Sequence, residues 1–190
     1  MVLPYHFLQA LGAGVRYGFP ARKLRVIGVT GTNGKTTTCF MIWKMLNEAG
    51  CKTGVMTTVG WGVDKIEKQV EHMTTMPSGE LNRRIKAIKD AGAGFLVLEV
   101  TSHAMVQFRT LGIPIEIAVM TNVTREHLDY HKTFDKYVKA KCKLFKKAQF
   151  GVVNADDKSA AKFEEIVEDY ITYGIKKDSD LQAKEIELNA

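Results

Sequence analysis

The chain has 190 residues, of which 45% are apolar and 25% charged, with four prolines. This composition excludes collagen, a coiled coil or a disordered chain as the main architecture and is typical of a globular domain. The net charge of +6 is uneven, because residues 1–150 carry 22 Lys and Arg against 11 Asp and Glu, whereas residues 151–190 carry 5 against 10. A basic front is compatible with nucleic acid or with a small polyanion such as ATP.

The apolar runs are too short for a membrane-spanning helix, and the N-terminus lacks the basic run of a signal peptide. Three cysteines at unrelated spacings indicate reduced thiols and no zinc site. We therefore expect a cytoplasmic protein.

Predicted strands and helices alternate along the chain. Short β-branched or apolar runs predict strands at residues 24–30, 54–59, 95–100, 115–123, 150–154 and 170–173. Amphipathic or Gly-terminated segments predict helices at residues 36–49, 80–91, 133–148 and 159–169. This alternation predicts an α/β fold with a doubly wound, mostly parallel sheet.

Three segments fall outside the alternation. Residues 1–23 predict a short amphipathic leader helix with Phe7, Leu8, Leu11 and Val15 roughly on one face. Residues 60–79 form a Gly-rich and polar stretch, and residues 181–190 begin another strand-like segment. We expect the chain to be a piece of a longer protein.

A phosphate-binding loop is predicted at residues 31–37, which read GTNGKTT between the first strand and the first helix. Glycines let backbone N–H groups curl around phosphate oxygens, and the helix N-terminus adds positive potential. Lys35 would reach the terminal phosphates, and the Thr36 hydroxyl could bind Mg²⁺. Gly28 lies six residues before Gly34 rather than five, so the pattern is shorter than the eight-residue consensus. The alternative, an ordinary Gly-rich turn, has no need of Lys-Thr-Thr at a helix start.

Two further polar residues follow predicted strands, where the ligands of parallel sheets bind. Glu99 ends the strand at 95–100 and could hold Mg²⁺, or it could be a structural acid that caps a neighbouring helix. His127 lies in the polar loop after the strand at 115–123 and is either a ligand or a surface residue.

Lys141 lies on the apolar stripe of a predicted helix, because Phe134, Val138, Lys141 and Phe145 recur at spacings of four, three and four. Its ammonium group could snorkel to the surface. The functional alternative is a partly buried lysine whose lowered pKa leaves a neutral, reactive amine.

Together these motifs resemble the Mur ligase family, and most closely its MurE-type branch, which extends UDP-N-acetylmuramoyl-dipeptide to the tripeptide. The matching segments are VTGTNGKTT at 29–37, the Thr pair at 74–75, LEVTSHAMVQFR at 98–109, TNVTREHLDYH at 121–131, KYVKAKCKLF at 136–145 and VVNADD at 152–157. They cover residues 24–175 approximately, in the family's order. The ordered set is more specific than a phosphate loop alone.

The resemblance implies a central ATP-binding domain that activates a carboxylate as an acyl-phosphate, which an amino acid then attacks. It implies that ATP is held by Gly31, Thr32, Asn33, Gly34, Lys35, Thr36 and Thr37. It implies two Mg²⁺ sites, with Thr36 and Glu99 on one metal and His127 on the other. Lys141 matches the family lysine that CO₂ converts to a carbamate, a metal-binding group. The implied catalytic residues are Lys35, Glu99, His127 and Lys141, and the implied contacts to the UDP-linked muramoyl-peptide are Thr74, Thr75, Thr101, Gln107 and Arg109.

The sequence departs from the family pattern in several places. Glu126 stands where Asp is usual, Thr101 replaces a commoner serine, and Met76 follows the threonine pair where proline is usual. We expect residues 1–23 to replace the usual UDP-binding domain and residues 24–190 to form a central domain truncated at its C-terminal end. The C-terminal ligase domain is expected to be absent, so that the isolated chain would not complete a ligation.

Two alternatives to this function remain. One is a related amide ligase of the folylpolyglutamate or cyanophycin synthetase type, and the other is a phosphate-loop module that binds nucleotide without ligase activity. A nucleic-acid partner is disfavoured, because no module combining stacking aromatics with basic residues is present. We expect a monomer that binds a UDP-linked muramoyl-peptide and an amino acid.

Overall fold

A computed structural model describes residues 2–69 and 73–187 of the chain. Its helices are α1 (Val2–Tyr17), α2 (Lys35–Glu48), α3 (Ser78–Asp90), α4 (Ser102–Val106), α5 (Leu128–His131), α6 (Phe134–Phe145) and α7 (Ala160–Glu164), with a 3-10 helix at Pro20–Lys23. Its strands are β1 (Arg25–Thr30), β2 (Thr53–Met56), β3 (Gly60–Gly62), β4 (Ile66–Lys68), β5 (Phe95–Glu99), β6 (Ile115–Met120), β7 (Ala148–Asn154), β8 (Asp169–Gly174) and β9 (Leu181–Gln182).

Within the described residues, the strands form one sheet in the order β4-β3-β2-β5-β1-β6-β7-β8-β9. Among the described residues, every pair in the sheet order β2-β5-β1-β6-β7-β8-β9 is parallel, and the pairs β2-β3 and β3-β4 at one edge are antiparallel. The predicted α/β fold with a mostly parallel sheet is therefore confirmed.

Helices cover both faces of the central strands, which is why those strands are apolar without alternation. Helix α2 packs on one face, where Val29, Val97 and Cys39 are buried. On the other face α3, α6 and α7 form the larger core, in which Leu96, Leu144 and other side chains are buried. The apolar runs of β1 and β5 are therefore continuous because both faces of these strands are buried.

The leader helix is present, but its packing differs from the simplest interpretation of its apolar stripe. Leu8 and Val15 are 64% and 65% exposed, whereas Ala10 and Ala13 are buried. Helix α1 packs closely against α3. The small side chains let the two helices approach, so the larger apolar residues of α1 remain at the surface.

The Gly-rich stretch at 60–79 contains the antiparallel strands β3 and β4, which the sequence analysis did not predict. These strands have three residues each, too few to establish an alternating pattern. The helix predicted at 159–169 is confined to Ala160–Glu164. Residues 70–72 of the stretch and residues 188–190 of the predicted final strand lie outside the described residues.

Gly54 in β2 lies directly against α3, and a Cβ there would be 2.3 Å from Cγ2 of Ile88. That methyl group is fixed close to the helix backbone. We expect Gly54→Ala to lower the free energy of unfolding by about 1–3 kcal/mol in urea titrations, because the core is already filled. Gly79→Ala is the matched control. No atom lies within 4 Å of its added Cβ in α3, so we expect no loss and a gain of up to about 1 kcal/mol. Equal stability of the two variants would contradict this packing.

The parallel strands bring distant segments to one edge of the sheet. Strand β1 lies between β5 and β6, with Val29 opposite Glu99 and Thr30 opposite Met120. The loops after these strands therefore meet at the carboxyl ends of β5, β1 and β6. This is the point where the strand order reverses, and ligands usually bind there in such folds. In the described part of the chain, no helix combines the length and apolar character needed to cross a membrane.

Candidate active site

The predicted phosphate loop connects β1 to α2, and two of its glycines are required by geometry. Gly31 has a φ of +156°, and a Cβ there would lie 1.9 Å from Oγ1 of Thr121. Gly34, at the start of α2, has a left-handed φ of +80°. Any residue other than glycine would be strained at these two positions. Glycine therefore allows the loop to follow its tight course into the helix N-terminus.

Lys35 and Thr36 occupy the first turn of α2, and both side chains point back toward the sheet edge. The ammonium group of Lys35 donates to the carbonyl oxygen of Thr32 at 2.7 Å. The hydroxyl of Thr36 donates to Oε2 of Glu99 at 2.9 Å, across 63 residues of sequence. Asn33 and Thr37 are exposed. The loop therefore presents a cation and a hydroxyl beside a carboxylate.

Glu99 is 2% exposed, and among the described residues one of its two carboxylate oxygens accepts all of the side-chain hydrogen bonds. Oε2 accepts from Thr36 and from the backbone N–H and hydroxyl of Thr58, the latter two at 2.9 and 3.2 Å. Oε1 has no hydrogen-bond partner among the described residues. A buried carboxylate with one free oxygen beside a hydroxyl is an all-oxygen donor set, which suits a hard cation such as Mg²⁺.

Lys141 is 1% exposed, so of the two alternatives left open by the sequence the structure shows the buried lysine and not one that snorkels to the surface. Its Nζ donates to the carbonyl oxygen of Gly31 at 2.6 Å and lies 4.5 Å from the centre of the Tyr137 ring. Burial, and to a smaller extent the charge of Lys35, lower the pKa of Lys141 to about 7. The amine is thus partly neutral near physiological pH.

A cavity of about 20 Å³ lies between the phosphate loop and Lys141. It is lined by Gly31, Lys35, Thr101, Ser102, His103, His127, Tyr137 and Lys141. The structure therefore brings Lys35, Thr101, His127 and Lys141 together, although they come from four separate segments. In the described ranges, no group of three or more His, Cys, Asp and Glu side chains could hold a metal ion by itself.

His127 is exposed and has a left-handed φ of +54°. Its ring centre lies 5.1 Å from that of His103, which in turn lies 5.4 Å from that of His131. The Nε2 atom of buried His131 is 2.9 Å from Oγ of Ser102. Burial, reinforced by the other histidines, lowers the pKa of His131 to about 4. His103 and His131 were not predicted as site residues, because each is a single histidine in a short helix, α4 or α5, that carries no periodic signal in the sequence.

The five residues predicted to contact substrate are joined by hydrogen bonds next to Glu99. The hydroxyl of Thr75 donates to the carbonyl oxygen of Glu99 at 3.0 Å and accepts from the N–H of Thr101 at 3.1 Å. Arg109 donates to Gln107 at 2.6 Å and to the carbonyl oxygen of Thr75.

The hydroxyl of Thr58, which donates to Glu99, lies 3.0 Å from the hydroxyl of Thr74 and can accept from it, which connects Thr74 to Glu99 as well. Burial lowers the pKa of Arg109. The hydrogen-bonded residues around Thr75, which include the guanidinium group of Arg109, therefore lie on the β5 side of the phosphate loop.

Comparison with known proteins places this geometry in a family. Residues 29–190 match the model of the Mur ligase middle domain. The UDP-N-acetylmuramoyl-L-alanyl-D-glutamate–2,6-diaminopimelate ligase of Clostridium tetani is 44% identical over 184 residues, covering 95% of this chain and 37% of that protein. The ligase of the same name from Bacillus velezensis is 40% identical, covering 92% and 37%.

Solved structures agree. A UDP-N-acetylmuramoyl-L-alanyl-D-glutamate–2,6-diaminopimelate ligase superposes with a TM-score of 0.75 at 33% identity, covering 84% of this chain and 34% of that one. E. coli FolC, solved with DHPP and ADP, shares the fold at 20% identity with a TM-score of 0.70, covering 88% of this chain and 47% of that one. The chain spans little more than a third of the length of the ligases it matches. It belongs to the Mur ligase family, and residues 29–190 correspond to the middle domain of that family.

Proposed function

We propose that this chain is the ATP-binding part of an amide ligase that adds an amino acid to UDP-N-acetylmuramoyl-dipeptide. The observation that carries the proposal is that the phosphate loop contacts two buried groups, Glu99 through the hydroxyl of Thr36 and the amine of Lys141 through the carbonyl oxygen of Gly31. A phosphate loop alone would serve any nucleotide-binding module. A buried carboxylate and a lysine at its edge supply what phosphoryl transfer to an anionic acceptor requires.

The reaction proposed is phosphoryl transfer followed by amide formation. A carboxylate oxygen of the substrate attacks the terminal phosphorus of ATP, the bond to the bridging oxygen breaks, and ADP leaves. The amine of the amino acid then attacks the acyl-phosphate carbon, phosphate leaves with the electron pair, and the amine loses a proton. Lys35, with the backbone N–H groups from Gly31 to Thr37, holds the phosphates and neutralises their charge.

Thr36 and Glu99 are the residues proposed to hold Mg²⁺, in agreement with their all-oxygen donor set. The ion, when bound, would neutralise negative charge that develops on the phosphate oxygens. A second site is proposed at His127 and Lys141, both of which line the small cavity. It depends on a carbamate, formed when the neutral amine of Lys141 adds CO₂ and loses a proton. The lowered pKa of Lys141 supports this step, because only the uncharged amine reacts.

Glu99→Gln tests the first metal site. The amide keeps the shape of the side chain but removes the charge, so we expect the Mg²⁺ concentration for half-maximal phosphate release to rise at least about tenfold. The measurement is an Mg²⁺ titration at saturating ATP on the complete gene product. Glu48→Gln, an exposed change at the far end of α2, should leave the titration unchanged. An unaltered Mg²⁺ requirement in Glu99→Gln would remove this residue from the metal site.

The substrate class is proposed from Thr74, Thr75, Thr101, Gln107 and Arg109, which form one hydrogen-bonded group beside Glu99. The names of the relatives point to UDP-N-acetylmuramoyl-L-alanyl-D-glutamate as acceptor and 2,6-diaminopimelate as the added amino acid.

The deciding experiment offers the complete gene product ATP, Mg²⁺, this acceptor and a panel of amino acids, with phosphate release as readout. Release that needs both acceptor and amino acid supports the ligase. Release without acceptor dependence contradicts it, and activity on a folate acceptor would favour the related branch.

A further inference from the structure

The phosphate loop is clamped from outside by one side chain, Asn122, which lies in the loop after β6. Its Oδ1 accepts from the backbone N–H of Asn33 at 2.9 Å, and its Nδ2 donates to the carbonyl oxygen of Asn33 at 3.0 Å. The amide thus pairs with both polar groups of one loop residue, as a neighbouring strand would.

Backbone and hydroxyl contacts from the same segment reinforce this clamp. The carbonyl oxygen of Asn122 accepts from the N–H of Thr32 at 2.8 Å. The hydroxyl of Thr121 donates to the carbonyl oxygen of Asn33 at 2.7 Å, and the N–H of Thr124 donates to the hydroxyl of Thr32 at 2.9 Å. Residues 121–124 therefore act as a template for the first half of the phosphate loop.

The template is itself anchored from the next strand. Asn154, at the end of β7, donates to the carbonyl oxygen of Thr121 at 2.7 Å. Asp157 accepts from the N–H of Val123 at 2.7 Å. Asn154 is the last residue of β7 and Asp157 lies in the turn that follows it, so the position of Asn122 is determined by this edge of the sheet rather than by the phosphate loop.

A loop of this kind needs such support. Gly31 and Gly34 allow the required course but also give the free loop many alternative conformations, whose loss opposes ligand binding. A loop already held in its binding course avoids that cost. Thr32 and Asn33 are the two residues between these glycines, and Asn33 is exposed. Hydrogen bonds that fix the peptide groups of Asn33 therefore restrict the loop at its centre.

We propose that Asn122 is a positioning residue that holds the phosphate loop ready to receive the phosphates of ATP. The inference deepens the proposed function and rests on it. Asn122 acts through Asn33 and not on the nucleotide, so its loss should weaken nucleotide binding more than it slows the chemical step.

The test compares Asn122→Ala with Asn47→Ala in the complete gene product. Asn47 makes an equivalent two-sided amide contact at the other end of α2, where Oδ1 accepts from Thr53 N–H at 3.1 Å and Nδ2 donates to Thr53 O at 3.3 Å. Both variants remove comparable hydrogen bonds, but only one touches the phosphate loop. We measure the Kd of Mg²⁺-ATP by calorimetry, kcat at saturating ATP, and hydrogen exchange over residues 31–38.

For Asn122→Ala we expect the Kd of ATP to rise roughly tenfold, which matches the loss of two neutral hydrogen bonds. We also expect kcat to stay within about threefold and exchange at 31–38 to accelerate. Asn47→Ala should lower stability and leave the Kd and the exchange of that segment unchanged. If Asn122→Ala does not fold, Asn122→Asp keeps the volume and replaces the Nδ2 donor, with the same expected rise.

Three results would overturn the inference. An unchanged Kd in Asn122→Ala, while Lys35→Ala weakens ATP binding, would refute the clamp and leave the proposed function standing. An equal rise in Asn47→Ala would assign the effect to general destabilisation. If the unaltered protein does not bind ATP, the clamp and the proposed function both fail.

Discussion

Lys35→Ala is expected to lower the rate of phosphate release by the complete gene product at least about 30-fold at saturating substrates. Removal of one preorganised electrostatic group from a phosphoryl-transfer site costs about 2–4 kcal/mol of transition-state stabilisation. Lys35 is the cation on the first turn of α2, where its ammonium group already bonds within the loop. The measurement is steady-state phosphate release with ATP, acceptor and amino acid.

Lys44→Ala provides the matched control for Lys35→Ala. Lys44 lies on the same helix but is exposed and forms an ion pair with Glu48 at 2.7 Å. An exposed pair of this kind contributes little to stability, so this variant should retain nearly full activity. Near-normal turnover of Lys35→Ala would contradict the phosphate-loop assignment. Equal losses in both variants would show that the charge of the helix, and not the position of Lys35, matters.

Lys141→Met is expected to stabilise the fold and to abolish ligation. The amine is almost fully buried, and its pKa is lowered to about 7 by burial and then by Lys35. Replacement of an unpaired buried charge by an apolar side chain of similar length should raise the free energy of unfolding by on the order of 1–3 kcal/mol at pH 7. Activity should fall at least about 100-fold, because no other group supplies a carbamate.

The pH dependence of this gain has a definite sign. In the unfolded chain the lysine is protonated below its ordinary pKa of 10.5, whereas the folded chain keeps it neutral down to about 7. The contribution of Lys141 to the stability of the unaltered protein therefore falls as the pH is lowered from about 10.5 to 7 and changes no further below that. The advantage of Lys141→Met should grow over the same interval and then level off.

Urea titrations at pH 6, 7.5 and 9.5 in bicarbonate-free buffer measure this advantage. Lys143→Met, an exposed change two residues along α6, should show no such trend. A loss of stability in Lys141→Met at every pH would contradict the burial penalty. Carbamylation has its own readout, a carbamate signal from ¹³C-bicarbonate that the unaltered protein shows and Lys141→Met lacks. Its absence from the unaltered protein would leave Lys141 as a buried amine.

The tight course of residues 31–37 between β1 and α2, and the position of Lys141 on the core-facing side of α6, were predictable because their signals are local. In residues 31–37 the glycine positions and the start of the helix determine a backbone conformation that favours the binding of anions. The spacing around Lys141 places it on the side of α6 that faces the core, since residues three and four apart share a helix face. The burial of Lys141 confirmed that prediction.

Local patterns were misleading or silent where packing was the deciding factor. The large apolar residues of α1 formed a stripe, yet α1 packs through Ala10 and Ala13 because close approach to α3 favours small side chains. The strands β3 and β4 were too short to be recognised. Their pairing is determined by β2, which provides an edge for them.

The sequence by itself determined most of the elements, the tight turn between β1 and α2, the core-facing side of α6 and the family, because each depends on residues that are neighbours along the chain. Only the tertiary structure placed Thr36 against Glu99, Lys141 against Gly31 and Asn122 against Asn33. These pairs are separated by 63, 110 and 89 residues. Their meeting depends on strand order, because β1 lies between β5 and β6 and the carboxyl ends of all three share one edge.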